Sequence, residues 1–158
     1  MVFRTGAKNT KALERRIERG LRDALGYEVA AFVRTDTQLA QIVNCKQFRQ
    51  SEADGRDFNI IFLADPLVER LRRDVTALKT DTDEFSVQGR EIYWLRRKQQ
   101  GGMGFSNVPL EKILPAPFTI RGGRTIKNVT LRYACNVAVE STVTSANRTF
   151  ARGIGRPR

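Results

Sequence analysis

The sequence predicts an α+β fold, because segments with helical and strand periodicity alternate along its 158 residues. Apolar residues recur every four positions from Leu13 to Leu25, which places them on one face of a helix. Residues 58–64 have apolar side chains on both faces of a strand, which is typical of a central strand. A chain of this length buries most of its apolar surface without disulfides or metals. We therefore expect one ordinary domain with a mixed sheet covered by helices.

The first half of the chain is predicted to contain two blocks of alternating helices and strands. The first helix begins at the N-cap Thr10 and ends at Gly26, and residues 28–34 are predicted to form a strand. Thr35 then caps a short helix. In the second block the apolar strand leads to Asp65, whose carboxylate is predicted to cap the next helix.

The second half is predicted to contain a hairpin, a short helix and a further helix, at residues 84–97, 110–114 and 119–133. Gly89 and Arg90 form the turn of the hairpin. Beyond Cys135 the apolar periodicity ends, which predicts a disordered, basic C-terminal tail over residues 135–158. The folded domain is therefore assigned to residues 1–134, in two lobes at about 1–48 and 57–134.

The net charge of +11 is concentrated in the second half of the chain. Residues 1–89 carry 15 basic and 14 acidic side chains, whereas residues 90–158 carry 13 and 3. Clustered lysine and arginine favour contact with nucleic acid, phosphates or an anionic surface. The alternative is a soluble basic surface whose charge is raised by the four arginines of the tail.

The residue types present exclude several kinds of catalysis. The chain has no histidine, so one subunit cannot build a Ser-His-Asp triad, a Cys-His dyad or a His-ligated metal site. Cys45 and Cys135 have neither metal-ligand nor redox spacing and are predicted to be reduced thiols. Asp81, Asp83 and Glu84 form either a solvated turn or a set of oxygen ligands for a hard cation.

The sequence has no apolar run long enough to cross a membrane. The longest, residues 60–64, is far shorter than the roughly 20 residues of a spanning helix. The first residues lack the apolar region of a signal peptide. A cytoplasmic location without membrane contact is therefore expected.

Several stretches, in order along the chain, resemble the family known as domain of unknown function 1697. The segments VFRT, GYEV, FLADP and GREIYW carry the resemblance, together with residues 34–35, 104–107, 110–114, 119–121 and 125–126. The similarity covers roughly residues 2–133, and the succession of motifs is more specific than any one of them. It implies an α+β fold of ferredoxin-like strand-helix-strand pieces, and it implies no activity.

Two departures from the family pattern concern its N-terminus and its polar motifs. Members of the family begin with a strand, a loop and a helix, so we expect this chain to lack about the first third of the domain. Ser106-Asn107 stands where the family has Ser-Lys, and Gly122-Gly123 where it has Asn-Trp. Any chemistry of those side chains is therefore not expected here.

The glycine-rich loop at residues 101–107 is the first candidate site. Glycines let backbone N–H groups point at an anion, and the N-terminus of the next helix adds partial positive charge. The alternative is a flexible connection in which Ser106 or Asn107 caps the helix. The candidate anion-binding residues are Gly102, Gly104, Ser106, Asn107, Arg121, Arg124 and Lys127.

The strand at residues 91–97 is the second candidate site, because aromatic and basic residues adjoin on it. Sheet-based RNA-binding proteins stack bases on such aromatic side chains. The alternative places the aromatic rings in the core, with arginines extending from it to solvent. The candidate nucleic-acid contacts are Trp94, Arg96, Arg97 and Lys98.

Three hypotheses follow from the sequence. The first is a non-catalytic or truncated member of an uncharacterised family. The second is a nucleic-acid or phosphate-binding module that uses the basic second half. The third is an enzyme acting on a phosphorylated small molecule at residues 101–107. No catalytic residue, cofactor or metal is predicted.

Overall fold

The computed structural model describes residues 1–97, 110–114 and 116–133. The helices in these ranges are α1 (Thr10–Leu25), α2 (Asp36–Val43), α3 (Lys46–Ala53), α4 (Glu69–Ala77), α5 (Leu110–Ile113) and α6 (residues 123–133). The strands are β1 (Asp57–Leu63), β2 (Asp83–Gln88), β3 (Glu91–Arg96) and β4 (Phe118–Gly122). The predicted tail at 135–158, the glycine-rich loop at 101–107 and Cys135 lie outside the described residues.

The four strands form one sheet in the order β2-β3-β1-β4. Each neighbouring pair is antiparallel, so the prediction of a mixed sheet was wrong. From β1 to β4 the chain runs strand, helix, strand, strand, helix, strand, which with this strand order is the ferredoxin-like arrangement. The α+β class is confirmed.

Strand β1 is central because it is apolar on both sides. Ile60 and Ile61 point to opposite faces and are both fully buried. On one face, here called the α3 face, Phe58, Ile60 and Phe62 pack with residues of β3, α2, α3 and α6. The other, the α4 face, packs Ile61 with residues of β2, β3, α4 and α5. The sheet is therefore covered by helices on both faces.

The hairpin prediction is confirmed. Strands β2 and β3 pair from Asp83 opposite Arg96 to Gln88 opposite Glu91. Gly89 has a φ of +56°, a left-handed conformation that glycine adopts without the steric cost of a side chain. The two-residue turn Gly89-Arg90 therefore fixes the register of the hairpin.

Helix α1 packs in an unusual way, since its buried residue is a carboxylate. Its N-cap is Asn9, one residue before the predicted Thr10, and Gly26 ends it with a φ of +78°. The apolar stripe is only half-buried, and Leu25 at its end is exposed. Glu14, in contrast, is 2% exposed. Polar contacts therefore fix the position of α1.

Two predicted elements are not present as expected. Residues 28–34 do not form a strand, because no described strand pairs with them and the N–H groups of Ala31 and Val33 donate to Glu18 and Glu14. Asp65 does not cap α4, which begins four residues later, and its carboxylate instead pairs with Lys11 at 2.9 Å. In both cases a side chain of α1 binds the polar group: the N–H groups expected to pair in a sheet, and the carboxylate expected to cap α4.

The sequence analysis also missed part of the secondary structure. Helix α3, which precedes β1, was not predicted, and Cys45 caps it through its sulfur. Strand β4 lies inside the region predicted as a helix, which begins only at residue 123. β4 has five residues and ends in glycine, so its own pattern is weak and its pairing with β1 decides its conformation.

No helix in the described part of the chain is long and apolar enough to cross a membrane.

Gly123, at the start of α6, is closely approached by β1 and α3, so a side chain there is expected to be destabilising. A Cβ there would lie 3.0 Å from the rings of Phe48 and Phe58 and from the carbonyl oxygen of Phe58. Gly123→Ala should lower the free energy of unfolding by about 1–3 kcal/mol, because the backbone of β1 has to shift. Urea titration followed by circular dichroism measures the change.

Gly122→Ala is the matched control, since the nearest atom to its Cβ would be 4.0 Å away. It should change stability by less than about 0.5 kcal/mol. Equal effects of the two substitutions would contradict the tight approach at Gly123.

Candidate functional site

The sheet topology gathers basic residues at one end of the sheet. Strands β3 and β4 both run antiparallel to β1, so their C-terminal ends lie beside the start of β1. Arg96 is opposite Asp57, and Gly122 is opposite Asn59. We call this region the basic end and define it by six residues: Arg56, Arg96, Arg97, Arg121, Arg124 and Lys127.

Arg97 lies on the α3 side of the basic end. It lines an open depression of about 440 Å³ with Asp54, Gly55 and Arg56, the turn between α3 and β1. The guanidinium of Arg56 is 3.4 Å from Glu84 and 3.8 Å from Asp54, so its charge is largely compensated. Arg97 is exposed and has no acidic partner among the described residues.

Arg97 lies on the side of β1 where β3 pairs, whereas Arg121 and Arg124 lie on the side where β4 pairs. Arg121 is on the edge strand β4, opposite Ile60, and donates to the carbonyl of Ile120. Arg124 is in the first turn of α6. Both side chains are exposed and neither has an ion-pair partner within the described ranges. Their charges are therefore available to an anion.

Lys127 connects α6 to α3. Its ammonium group pairs with Glu52 and lies 6.0 Å from the centre of the Phe48 ring. The ion pair is half-exposed, and such pairs contribute only about 0–1 kcal/mol to stability. Lys127 thus lies beside Arg124 but carries a partly compensated charge.

Trp94 and Arg96 are used inside the fold, which corrects their predicted role. Trp94 is 9% exposed, stacks on Phe85 and donates its indole N–H to Asp83 at 2.7 Å. Arg96 lies over the Trp94 ring and 3.9 Å from Asp83. A ring buried in this way cannot stack a base.

The structure therefore joins parts of the two candidate sets predicted from the sequence. Arg97 comes from the strand-based set, and Arg121, Arg124 and Lys127 come from the anion-binding set. Arg56 was not among the predicted residues, because the pairing of β1 with β3, in which Asp57 is opposite Arg96, brings it beside Arg97. The remaining candidates lie outside the described residues: Lys98, Gly102, Gly104, Ser106 and Asn107.

The exposed arginines are spread across the sheet. Arg97 directly follows β3 and Arg121 lies on β4, on either side of β1, and the register offsets them by four residues along β1. Strand spacings of about 4.8 Å and rises of about 3.3 Å per residue give roughly 16 Å between their Cα atoms. An extended polyanion spans this distance.

A second charged cluster lies at the opposite end of β1, around Glu14. Its carboxylate accepts hydrogen bonds from the backbone N–H of Val33 at 2.8 Å and from Arg90 at 3.2 Å. Arg34, which is equally buried, lies 3.6 Å from Glu14 and 2.5 Å from Glu91. The acidic and basic groups compensate one another, so this cluster joins elements of the fold and offers no free charge.

The guanidinium groups of this cluster also bond to the backbone. Arg34 donates to the carbonyls of Leu63 and Arg90, and Arg90 donates to those of Ala64 and Val33. Lys11 donates to the carbonyl of Ala64 at 2.8 Å. These bonds attach α1 and residues 31–34 to the C-terminal end of β1 and the N-terminal end of β3.

The described residues include no group of three or more potential metal ligands. Asp83, from the acidic turn considered as a cation site, is buried and accepts bonds from Trp94 and Thr82. Its carboxylate therefore stabilises the β2–β3 hairpin.

These features define an α+β protein with a ferredoxin-like sheet, helices on both faces and a basic end. The profile of the family described as "Protein of unknown function (DUF1697)" matches residues 1–93, more than half of the chain. The protein belongs to this family, which confirms the resemblance found in the sequence. No curated protein and no solved structure matches it.

Glu14→Ala should destabilise the fold strongly, because it leaves the buried guanidinium of Arg34 and the nearby Arg90 without their shared carboxylate. We expect a loss of about 3–5 kcal/mol in the free energy of unfolding, measured by urea titration. Asp23→Ala on the same helix removes an exposed carboxylate 4.0 Å from Arg22 and should cost less than about 0.5 kcal/mol. Similar losses in both variants would show that the cluster does not hold α1.

Tyr93 should make stability fall at alkaline pH. Burial, followed by the negative charges of Cys45 and Glu91, raises the pKa of Tyr93 above its ordinary value of 10.0. Above pH 10 the unfolded chain has lost this proton while the folded chain retains it, so unfolding becomes easier as pH rises. Urea midpoints at successive pH values should show this slope, and Tyr93→Phe should reduce it. Tyr27→Phe, which alters an exposed tyrosine, should leave it unchanged.

Proposed function

We propose that this protein is a non-catalytic nucleic-acid-binding module that contacts its ligand through the basic end. The observation that carries the proposal is the position of Arg97, Arg121 and Arg124. All three are exposed, lie in or just after the C-terminal parts of β3 and β4, and have no acidic partner in the described part of the chain.

The distribution of charge supports a polyanionic ligand. The first 89 residues are nearly neutral, whereas residues 90–158 carry a large excess of basic side chains. Arg97, Arg121 and Arg124 all belong to this second segment. Clustered cations bind nucleic acid by displacing counterions from its phosphates.

The spacing favours a polymer over a phosphorylated small molecule. Arg97 and Arg121, whose Cα atoms lie roughly 16 Å apart on either side of β1, can each contact a different phosphate of an extended chain. The depression beside Arg97 is open, and Asp54 contributes a negative charge to its lining. A small anion would meet repulsion there as well as attraction.

The chemistry of the residues supports binding without catalysis. The chain contains no histidine, the commonest general base. Three acidic residues near the basic end are engaged: Glu52 with Lys127, Asp83 with Trp94, and Glu84 with Arg56. We therefore assign no reaction to this region.

Binding to a fluorescent oligonucleotide should weaken steeply as salt concentration rises. Replacing Arg97, Arg121 and Arg124 together by Ala should reduce the slope of log K against log salt by about 0.9 per arginine that contacts a duplex phosphate. Fluorescence anisotropy at several salt concentrations measures this slope.

The matched control replaces Arg15, Arg70 and Arg73, which are exposed on α1 and α4 and give the same change in net charge. This variant should retain most of the slope. Absence of binding at low salt, or an equal loss in both variants, would refute the basic end as the binding surface.

A further inference from the structure

We infer that the basic end binds the phosphate backbone of a nucleic-acid duplex and not the bases of a single strand. This inference rests on the proposed function and specifies the ligand of the same surface. Three observations lead to it: the position of the aromatic rings, the separation of the exposed arginines and the nature of the exposed groups.

The aromatic rings near the basic end lie inside the core. Phe48 and Phe58 are buried and pack edge to face with their ring centres 5.1 Å apart. Tyr93 and Trp94 are also buried. Proteins that bind single strands gain about 1–3 kcal/mol for each base stacked on an exposed ring. None of these four rings is available for such stacking.

The exposed aromatic residues within the described ranges lie elsewhere. Tyr133 is at the far end of α6, nine residues from Arg124, which corresponds to about 13 Å of helix. Phe3 and Tyr27 precede and follow α1. Within the described ranges, a strand that contacts Arg97 and Arg121 therefore meets guanidinium groups without a neighbouring stacking platform.

The exposed arginines of the basic end lie on the two sides of strand β1. Arg97 lies on one side of β1, and Arg121 and Arg124 lie on the other. Their separation of roughly 16 Å is within arginine reach of two phosphate rows across a major groove about 12 Å wide. A single strand presents one row of phosphates and contacts both sides only when it runs across β1, whereas a duplex presents two rows at once.

Charge density strengthens the preference for a duplex. Double-stranded DNA carries one charge per roughly 1.7 Å of its axis, and its salt slope is about 0.9 per phosphate contact, against about 0.7 for a single strand. A surface that acts through cations alone gains most from the denser charge. We therefore also expect little dependence on base sequence, since phosphate contacts carry no sequence information directly.

The test compares a 20-base-pair DNA duplex with unstructured single strands of the same length, oligo(dT) and a mixed pyrimidine sequence. At about 0.1 M salt the duplex should bind at least roughly fourfold more tightly, the difference that the two slopes give for three contacts relative to 1 M. Duplexes rich in A·T and in G·C should bind alike. Removing Arg97, Arg121 and Arg124 together should abolish the preference for the duplex.

Two results overturn the inference in different ways. Equal or tighter binding of the single strands would refute the duplex preference while leaving the proposed function standing. Binding of neither ligand at low salt would refute the proposed function itself. Phe105→Ala tests the one phenylalanine of the glycine-rich loop, which lies outside the described residues. The duplex preference should be unchanged in that variant, and a loss of single-strand binding there would count against the inference.

Discussion

The carboxylate of Glu14 is the contact on which the arrangement of the N-terminal part depends. Helix α1 buries this group while leaving its apolar stripe half-exposed. The carboxylate binds Arg90 at the β2–β3 turn and the backbone of Val33, and it lies beside Arg34. Burying charge is costly unless partners and hydrogen bonds compensate it, and here the cluster is balanced. Specific polar geometry thus positions α1, where most helices are positioned by apolar packing.

Strand β1 has the corresponding role for the sheet and for the basic end. It pairs with β3 on one side and β4 on the other, and both neighbours run in the opposite direction. This geometry alone places the residues after β3 and at the end of β4 on either side of the start of β1. Arg97 and Arg121, 24 positions apart in sequence, therefore flank one strand. The functional proposal is a consequence of this topology.

The sequence predicted the elements whose own residues determine them. The apolar run of β1, the Gly89-Arg90 hairpin and the Gly26 end of α1 needed only local patterns. The prediction from the sequence failed where residues distant in the chain determine the local conformation. β4 is a strand because β1 pairs with it. Residues 28–34 are not a strand, because side chains of α1 accept hydrogen bonds from their N–H groups. The candidate arginines were found from charge, whereas the burial of Trp94 depended on the packing of Phe85 and Asp83.

The sequence separation of the paired strands bears on how the protein is made. During synthesis β1 leaves the ribosome before either of its partner strands. Leu63 cannot pair with Phe118 until a further 55 residues have been added. The β2–β3 hairpin closes over a two-residue turn, so β3 can be presented to β1 as a preformed unit. Until β4 arrives, the Phe58–Leu63 stretch has one open edge and apolar side chains on both faces. A nascent chain halted before residue 118 would therefore expose a template for association with other chains.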